Sequence, residues 1–298
     1  MNEDKCPLCG NKEGRVIFRS GKYSIRKCAG CTFMYTLPFP GSETLRMIYE
    51  GLYKPQQEND LYKPDFLKGY YREGIEAFQE ILRYIVTKKT RGKLLEVGCN
   101  YGLFLQEAHR AGFEVCGVDI VNPMVRYVRE VLGLAVVQGR FEEVTFNCEE
   151  FDVVVMLDSL EHVEGLLTCA EKAYRILKKD GILVVTVPNT PVYLFKSRLI
   201  SLLPFWNYEK SGKEYIPGVP YNEMDLPLHL NHFTKKTLGS LLKKVGFGKL
   251  DFFLSPEKFP YGHTARINLR KKYIAFSKKL FALTRINIHS KLLVIAVK

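Results

Sequence analysis

Residues 94–102, Leu-Leu-Glu-Val-Gly-Cys-Asn-Tyr-Gly, constrain the fold more than any other stretch of the chain. The run up to Val97 is mainly apolar, as in a strand buried within a parallel sheet, and Gly98 and Gly102 then break it. Without a Cβ, Gly98 lets the chain turn sharply and lets a ligand lie against bare backbone, and Gly102 lets a helix from Leu103 approach the strand. A second apolar strand over 114–118 ends in Asp119, 21 residues beyond Gly98. That is near the offset at which an acid accepts hydrogen bonds from ribose hydroxyls in a βαβ unit. Only two glycines of a full G-x-G-x-x-G loop match, with Asn100 between them, and asparagine also tolerates left-handed backbone. Strands and helices keep alternating beyond this unit, which predicts an α/β fold built on a doubly wound sheet.

Glu96-Val97-Gly98-Cys99-Asn100-Tyr101-Gly102 resembles the E-x-G-x-G-x-G first motif of class I S-adenosylmethionine (SAM)-dependent methyltransferases. The resemblance implies a Rossmann-like seven-stranded sheet and SAM as cofactor, held by Glu96, Gly98, Asn100, Gly102, Asp119 and Ile120. It also places Phe141, after a third strand over 134–137, where its ring can stack on the adenine. Asp158-Ser159-Leu160-Glu161-His162-Val163 follows a fourth strand and resembles the D-x-L-E-H-V motif of small-molecule methyltransferases. That likeness implies Asp158 and Ser159 beside the methionine part of SAM, with Glu161 and His162 facing the transfer site. An imidazole titrates near neutrality and can take a proton from a hydroxyl or amine as the methyl leaves sulfur, which makes His162 the first candidate for general base. The same Glu-His pair also suits the start of a helix, where a glutamate is favoured, so a structural role stands beside the catalytic one. Two ligands make a poor metal site, so a cation shared by Glu161 and His162 has thin support. His229-Leu230-Asn231-His232-Phe233-Thr234 resembles the H-x-x-H-F-T segment of the same enzymes, whose histidines border the acceptor pocket. His229 and His232 share a face if the helix over 235–245 starts early, as second candidates for the base or as ordinary core and capping histidines.

Two C-x2-C pairs, Cys6 with Cys9 and Cys28 with Cys31, stand eighteen residues apart near the N-terminus. The spacing is that of a four-thiolate zinc site, whose closed shell makes the metal structural. A segment of some forty residues buries too little apolar surface to fold unaided, and a metal supplies the difference. Disulfides are the alternative reading, which a reducing cytosol opposes. With the aromatic, proline-containing stretch 32–40 behind them, the pairs resemble the N-terminal ribbon of a subgroup of SAM methyltransferases. Many of that subgroup modify sugars, polysaccharide precursors or other small metabolites; Thr32 stands where they carry glycine.

The 298 residues thus divide into a zinc ribbon (1–40), a linker with lid helices (41–90) and a methyltransferase domain (91–298). Within the last lie an aromatic cap (190–228) and a basic helical insertion (260–287) between the final two strands. The expected cap holds Phe195, Trp206, Tyr208, Tyr215 and Tyr221, and aromatic faces suit sugar rings, nucleobases and lipid headgroups alike. No apolar run reaches the roughly 18 residues of a membrane span, and the polar N-terminus has no signal-peptide core, so the expected location is the cytoplasm. The net charge of +12 is concentrated after residue 234, where fifteen Lys and Arg face only Asp251 and Glu257. Such asymmetry suits an anionic partner, either RNA or an anionic membrane surface, or merely a solvated basic helix. The expected acceptor is a small molecule such as a sugar, nucleotide-sugar or glycan precursor, with rRNA or tRNA as the alternative and a non-catalytic SAM-binding adaptor as a third reading. Nothing in the sequence fixes an oligomeric state.

Overall fold

The computed structural model of the protein describes residues 5–41, 44–45, 47–48, 64–201, 214–216, 219–220, 226–256 and 264–298. Of the linker expected over 41–90, residues 42–43, 46 and 49–63 lie outside the described residues, as do Trp206, Tyr208 and Tyr221 of the cap. The chain opens with β1 (Gly14–Ser20), β2 (Tyr23–Cys28) and β3 (Met34–Leu37), followed by α1 (Pro64–Val86). Then come β4 (Gly92–Val97), α2 (Leu103–Arg110), β5 (Phe113–Asp119), α3 (Asn122–Glu130), β6 (Ala135–Gln138) and β7 (Phe151–Leu157). A 3-10 turn (Leu160–His162) leads to α4 (Leu166–Ile176), β8 (Leu177–Pro188) and α5 (Thr190–Ser201). The short pair β9 (Glu214–Ile216) and β10 (Val219–Pro220) precedes β11 (Asn231–His232), α6 (Lys235–Lys244), β12 (Lys249–Leu254), α7 (Thr264–Thr284) and β13 (Lys291–Val297).

Seven strands form the main sheet in the order β12-β13-β8-β7-β4-β5-β6. β8, β7, β4, β5 and β6 run parallel, whereas β13 is antiparallel to both β8 and β12. Chain order reverses between β4 and β7, and open α/β sheets bind ligands beyond the carboxyl ends of the strands at such a switch point. Successive residues of each strand feed opposite faces. Leu95, Val97, Val154, Met156, Leu183 and Val185 pack with α4 and α6 on one side. Leu94, Val153, Val155, Ile182 and Val184 pack with α1, α2 and α3 on the other. Burying each such side chain stabilises the fold by about 1.5–3 kcal/mol, which is why these strands read as unbroken apolar runs.

Three features of the fold go beyond local sequence. Residues 178–181, Lys-Lys-Asp-Gly, have the composition of a turn but are absorbed into β8, which begins at Leu177. Phe151 already pairs with Leu177, an irregularity follows before Val153 pairs with Ile182, and Asp180 takes φ +59° to make the bend. The ribbon is also no separate appendage: β11, from the far end of the chain, pairs antiparallel with β3 and completes the four-stranded sheet β1-β2-β3-β11. Cys6, Leu8, Cys28, Phe33 and Tyr35 belong to the same core as Phe233 and Leu238, with the rings of Phe33 and Phe233 5.5 Å apart. Finally, the last two strands are joined by α7, whose inner side is tied down by Ser277 Oγ to His289 Nε2 at 2.5 Å and by Tyr273 donating to the Ile288 carbonyl. On its outer side, over the residues whose side chains are described, Phe276 (58% exposed) and Leu283 (75%) stand among exposed lysines. No helix among the described residues is long and apolar enough to cross a membrane.

Candidate active site

At the end of β4 the backbone is left-handed at three positions, Gly98 (φ +73°), Asn100 (φ +51°) and Gly102 (φ +70°). Asn100 therefore occupies the middle position without the steric penalty most residues would meet there. The amides of Gly98 and Cys99 both donate to the Val118 carbonyl, which closes the loop over the start of the β5 tip. Asp119 holds the loop from the other side: Oδ2 accepts the Asn100 N–H at 2.8 Å and Oδ1 the Val121 N–H at 2.9 Å. The Ile120 amide also faces this carboxylate, whose four lone pairs still leave an acceptor for a ribose hydroxyl. A Cβ on Gly98 would come within 3.0 Å of the Ser159 Cβ. The Ser159 hydroxyl is buried there with no hydrogen-bond partner among the described residues. Bare backbone, a carboxylate with spare acceptors and an unpartnered buried hydroxyl fit the ribose and methionine portions of SAM. Ile120, 42% exposed, follows Asp119 as an apolar rim.

Two residues of the expected binding set lie buried behind the cradle. Glu96 is buried, its carboxylate faces the first turn of α2 at the Leu105 N–H, and its Oε2 has no hydrogen-bond partner among the described residues. Burial, and then the charge of Asp119, holds the Glu96 carboxyl well above its ordinary value. Phe141 does not offer a ring face to a base. It is 4% exposed, 6.3 Å from the Phe146 ring and 5.0 Å beneath the Lys172 ammonium, which is hydrogen-bonded to the carbonyls of Phe141 and Val144.

The end of β7 supplies the second half of the site. Asp158, left-handed at φ +54°, receives the Thr186 hydroxyl at 3.1 Å on Oδ1 and an ion pair from Lys291 on Oδ2. Lys291 was not legible as a site residue. β13 runs antiparallel to β8, so its first residue pairs with Pro188 at the carboxyl end of the sheet, and only that register brings it here. Burial would lower the Lys291 pKa, but Asp158 and then Glu161 raise it.

His162 stands at the rim of the same end. Its Nδ1 lies 3.1 Å from the Leu228 carbonyl, and its ring is 4.8 Å from that of His229. Burial lowers the pKa of both rings; for His229 the neighbouring rings of His162 and His232 and the Lys291 ammonium lower it further. His232 does not share their face. Residues 231 and 232 are strand rather than early helix, because Thr234 caps α6 in a reciprocal capping box with Thr237. The His232 ring points into the ribbon, 2.9 Å from Thr36 Oγ1, and burial brings its pKa down to about 3, too weak a base for the role. Glu161, His162 and His229 bring ligand atoms within 4.8 Å of one another and could hold a cation, although the Lys291 charge beside Glu161 opposes one.

The four cysteines also converge within 4.8 Å of one another. The Cys6–Cys31 and Cys9–Cys28 sulfurs are 3.5 Å apart, too far for disulfides and close to the separation of thiolates around a tetrahedral zinc with Zn–S near about 2.3 Å. Backbone amides of Leu8 and Cys9 point at the Cys6 sulfur and those of Gly30 and Cys31 at the Cys28 sulfur, the arrangement that stabilises thiolates. The donor set fits zinc.

A family model described as a methyltransferase domain matches residues 69–251, more than half of the chain. The mitochondrial ubiquinone biosynthesis O-methyltransferase of Bos taurus is 31% identical over 155 residues, covering 47% of this chain and 39% of that one. The ubiquinone biosynthesis O-methyltransferase of Actinobacillus pleuropneumoniae is 32% identical over 107 residues, covering 33% of this chain and 46% of that one. The chain thus spans less than half the length of these two relatives. The crystal structure of a SAM-dependent methyltransferase from Archaeoglobus fulgidus superposes with a TM-score of 0.51 at 21% identity, covering 79% of this chain and all of that one, a likeness of fold. With its sheet order and glycine loop in agreement, the chain belongs to the methyltransferase domain family and has the fold of a class I SAM-dependent enzyme.

Proposed function

We propose that the protein moves the methyl group of SAM to an oxygen of a small-molecule acceptor, with His162 as general base. The observation that carries this is the meeting, at the switch point between β4 and β7, of the Gly98–Asp119–Ser159 cradle and the His162–His229 pair. When bound, SAM supplies an activated methyl on a sulfonium, so the chain has to align the acceptor, exclude water and remove one proton. Asp119 would receive the ribose hydroxyls, and Ser159 would donate its hydroxyl toward the methionine end. Depressed by burial, the His162 pKa leaves the ring neutral at pH 7. A neutral imidazole that donates Nδ1–H to Leu228 carries its lone pair on Nε2, the form that accepts the acceptor's hydroxyl proton. Nε2 of His162 would hold that proton once the acceptor oxygen carries the methyl group. The four cysteines would hold a structural zinc.

The relatives' names speak for an O-methylated small molecule. A sugar or nucleotide-sugar is the narrower reading, supported by the ribbon's likeness alone. The experiment is incubation with methyl-labelled SAM and a cell extract, followed by nuclease treatment and size separation. Base-stable label in nuclease-resistant small molecules is expected. Label in a large fraction that nuclease releases would replace this reading with RNA methylation, and SAM binding without transfer to any fraction would point to an adaptor.

A further inference from the structure

The segment 226–233 runs as a strap between the ribbon and the turn that carries Glu161 and His162. On the site side, the Leu230 N–H donates to the Glu161 carbonyl at 2.9 Å, and Asn231 Nδ2 donates to the Val163 carbonyl at 2.7 Å. The Leu228 carbonyl meets His162 Nδ1. On the ribbon side, Asn231 pairs with Tyr35 and His232 with Met34, and the Thr36 N–H donates to the Leu230 carbonyl at 3.0 Å. Leu226 is buried with Tyr23, Ile25 and Met34. The most concentrated link is the buried Thr36 hydroxyl. It donates to the His229 carbonyl at 2.5 Å and lies 2.9 Å from His232 Nε2, so one side chain grips the strap at two of its histidines.

The geometry points to Thr36 as a positioning residue for the His162–His229 pair, through which the metal ribbon forms one wall of the acceptor site. The path is short and covalent at its start. β2 ends in Cys28, Cys31 lies three residues before Met34, and β3 is held along β2 from Leu37 to Met34. With the four thiolates drawn together, β3 has a fixed height, and the strap with His229 has one too. With the metal gone, the hairpin loses its clamp, since a segment of this size has little core of its own. Among the described residues the glycine loop on β4 and β5 has no hydrogen bond to the strap or to Thr36, so the coupling acts on the acceptor side of the site, where the Ser159 carbonyl and the His162 N–H form the one backbone joint to the cradle. The inference rests on the reading of His162 and His229 as the transfer-site pair.

The test uses the full chain with zinc bound, labelled with 15N-histidine, as wild type, Thr36→Val and Thr36→Ser. Ring resonances of His162 and His229, zinc content and SAM affinity by calorimetry are measured on each. Valine keeps the shape and removes the hydroxyl; it should shift both rings, move the His162 titration midpoint and leave zinc content and SAM affinity within twofold of wild type. Serine restores the hydroxyl and should return the rings to their wild-type positions. Stripping zinc from the wild type with a chelator should reproduce the shifts of the valine variant. Unmoved His162 and His229 rings in folded Thr36→Val overturn the proposal. If that variant fails to fold, unmoved rings in the zinc-stripped wild type overturn it instead. Failure of the wild type to bind SAM would sink the proposed function but leave the ring shifts to decide this one.

Discussion

Replacing Glu96 by glutamine and, separately, by alanine distinguishes a helix cap from a cofactor ligand. The Glu96 carboxylate faces the Leu105 N–H inside the core, and its pKa is raised by burial first and by Asp119 second. Glutamine keeps an acceptor for that N–H and removes the charge. Alanine leaves the N–H buried and unpaired, a cost of about 1–3 kcal/mol. Thermal unfolding should therefore place Glu96→Ala below Glu96→Gln by several degrees, at about 2–4 °C per kcal/mol for a chain of this class. The pH dependence has a fixed sign. A carboxyl whose folded pKa is raised binds its proton more tightly in the folded state. Its contribution is most favourable below the ordinary carboxyl value and is lost as pH rises through the raised one. Wild type should then fall behind Glu96→Gln as pH rises from acid to neutral, a difference in which the other carboxylates cancel. SAM affinity by calorimetry should stay within about threefold in the glutamine variant, a change of under about 0.7 kcal/mol. A loss of more than tenfold in SAM affinity, with parallel pH–stability curves, would refute the capping role and return Glu96 to the cofactor.

Asp119→Ala should weaken SAM binding by about 1–3 kcal/mol through lost charge-assisted bonds, and unchanged calorimetric affinity would remove Asp119 from the site. Gly102→Ala would force a side chain into φ +70° with its Cβ 2.8 Å from Val128 Cγ2 and 3.0 Å from Leu132 Cδ1. Left-handed strain and overpacking together should cost about 2–5 kcal/mol in urea unfolding, and a loss under about 1 kcal/mol would mean that α3 yields freely. Lys291→Met removes a cation that lowers the His229 pKa, so the His229 ring should titrate at higher pH by NMR; an unmoved midpoint would show that burial and the neighbouring rings set it without Lys291.

What the sequence determined by itself was local. A buried strand, two glycines and an acid at the right offset specify a cofactor loop, because backbone sterics and hydrogen bonding act within a few residues there. Paired cysteines likewise specify their own chemistry, and the sulfurs converge as the spacing implies. Apolar runs located the strands of the main sheet, since a strand buried on both faces has to be apolar throughout. Phe141 was misassigned because a motif position gives a residue's place along the chain, whereas the direction of its side chain depends on what packs behind it.

Tertiary structure decided everything that joins distant segments. Lys291 reaches Asp158 across 133 residues because β13 is antiparallel to β8, and a reversed strand would place it at the opposite end of the sheet. His229 turns to His162 while His232 turns into the ribbon, because the segment is extended and alternates sides where a helix would have kept both on one face. The union of ribbon and site rests on two residues of β11 and the Thr36 hydroxyl, a pairing between strands almost 200 positions apart. Period and propensity carry no information about a pairing at that separation. It exists because Phe33, Tyr35 and Phe233 share one core, and the strand edge they leave beside them has backbone groups that Leu230 and β11 satisfy.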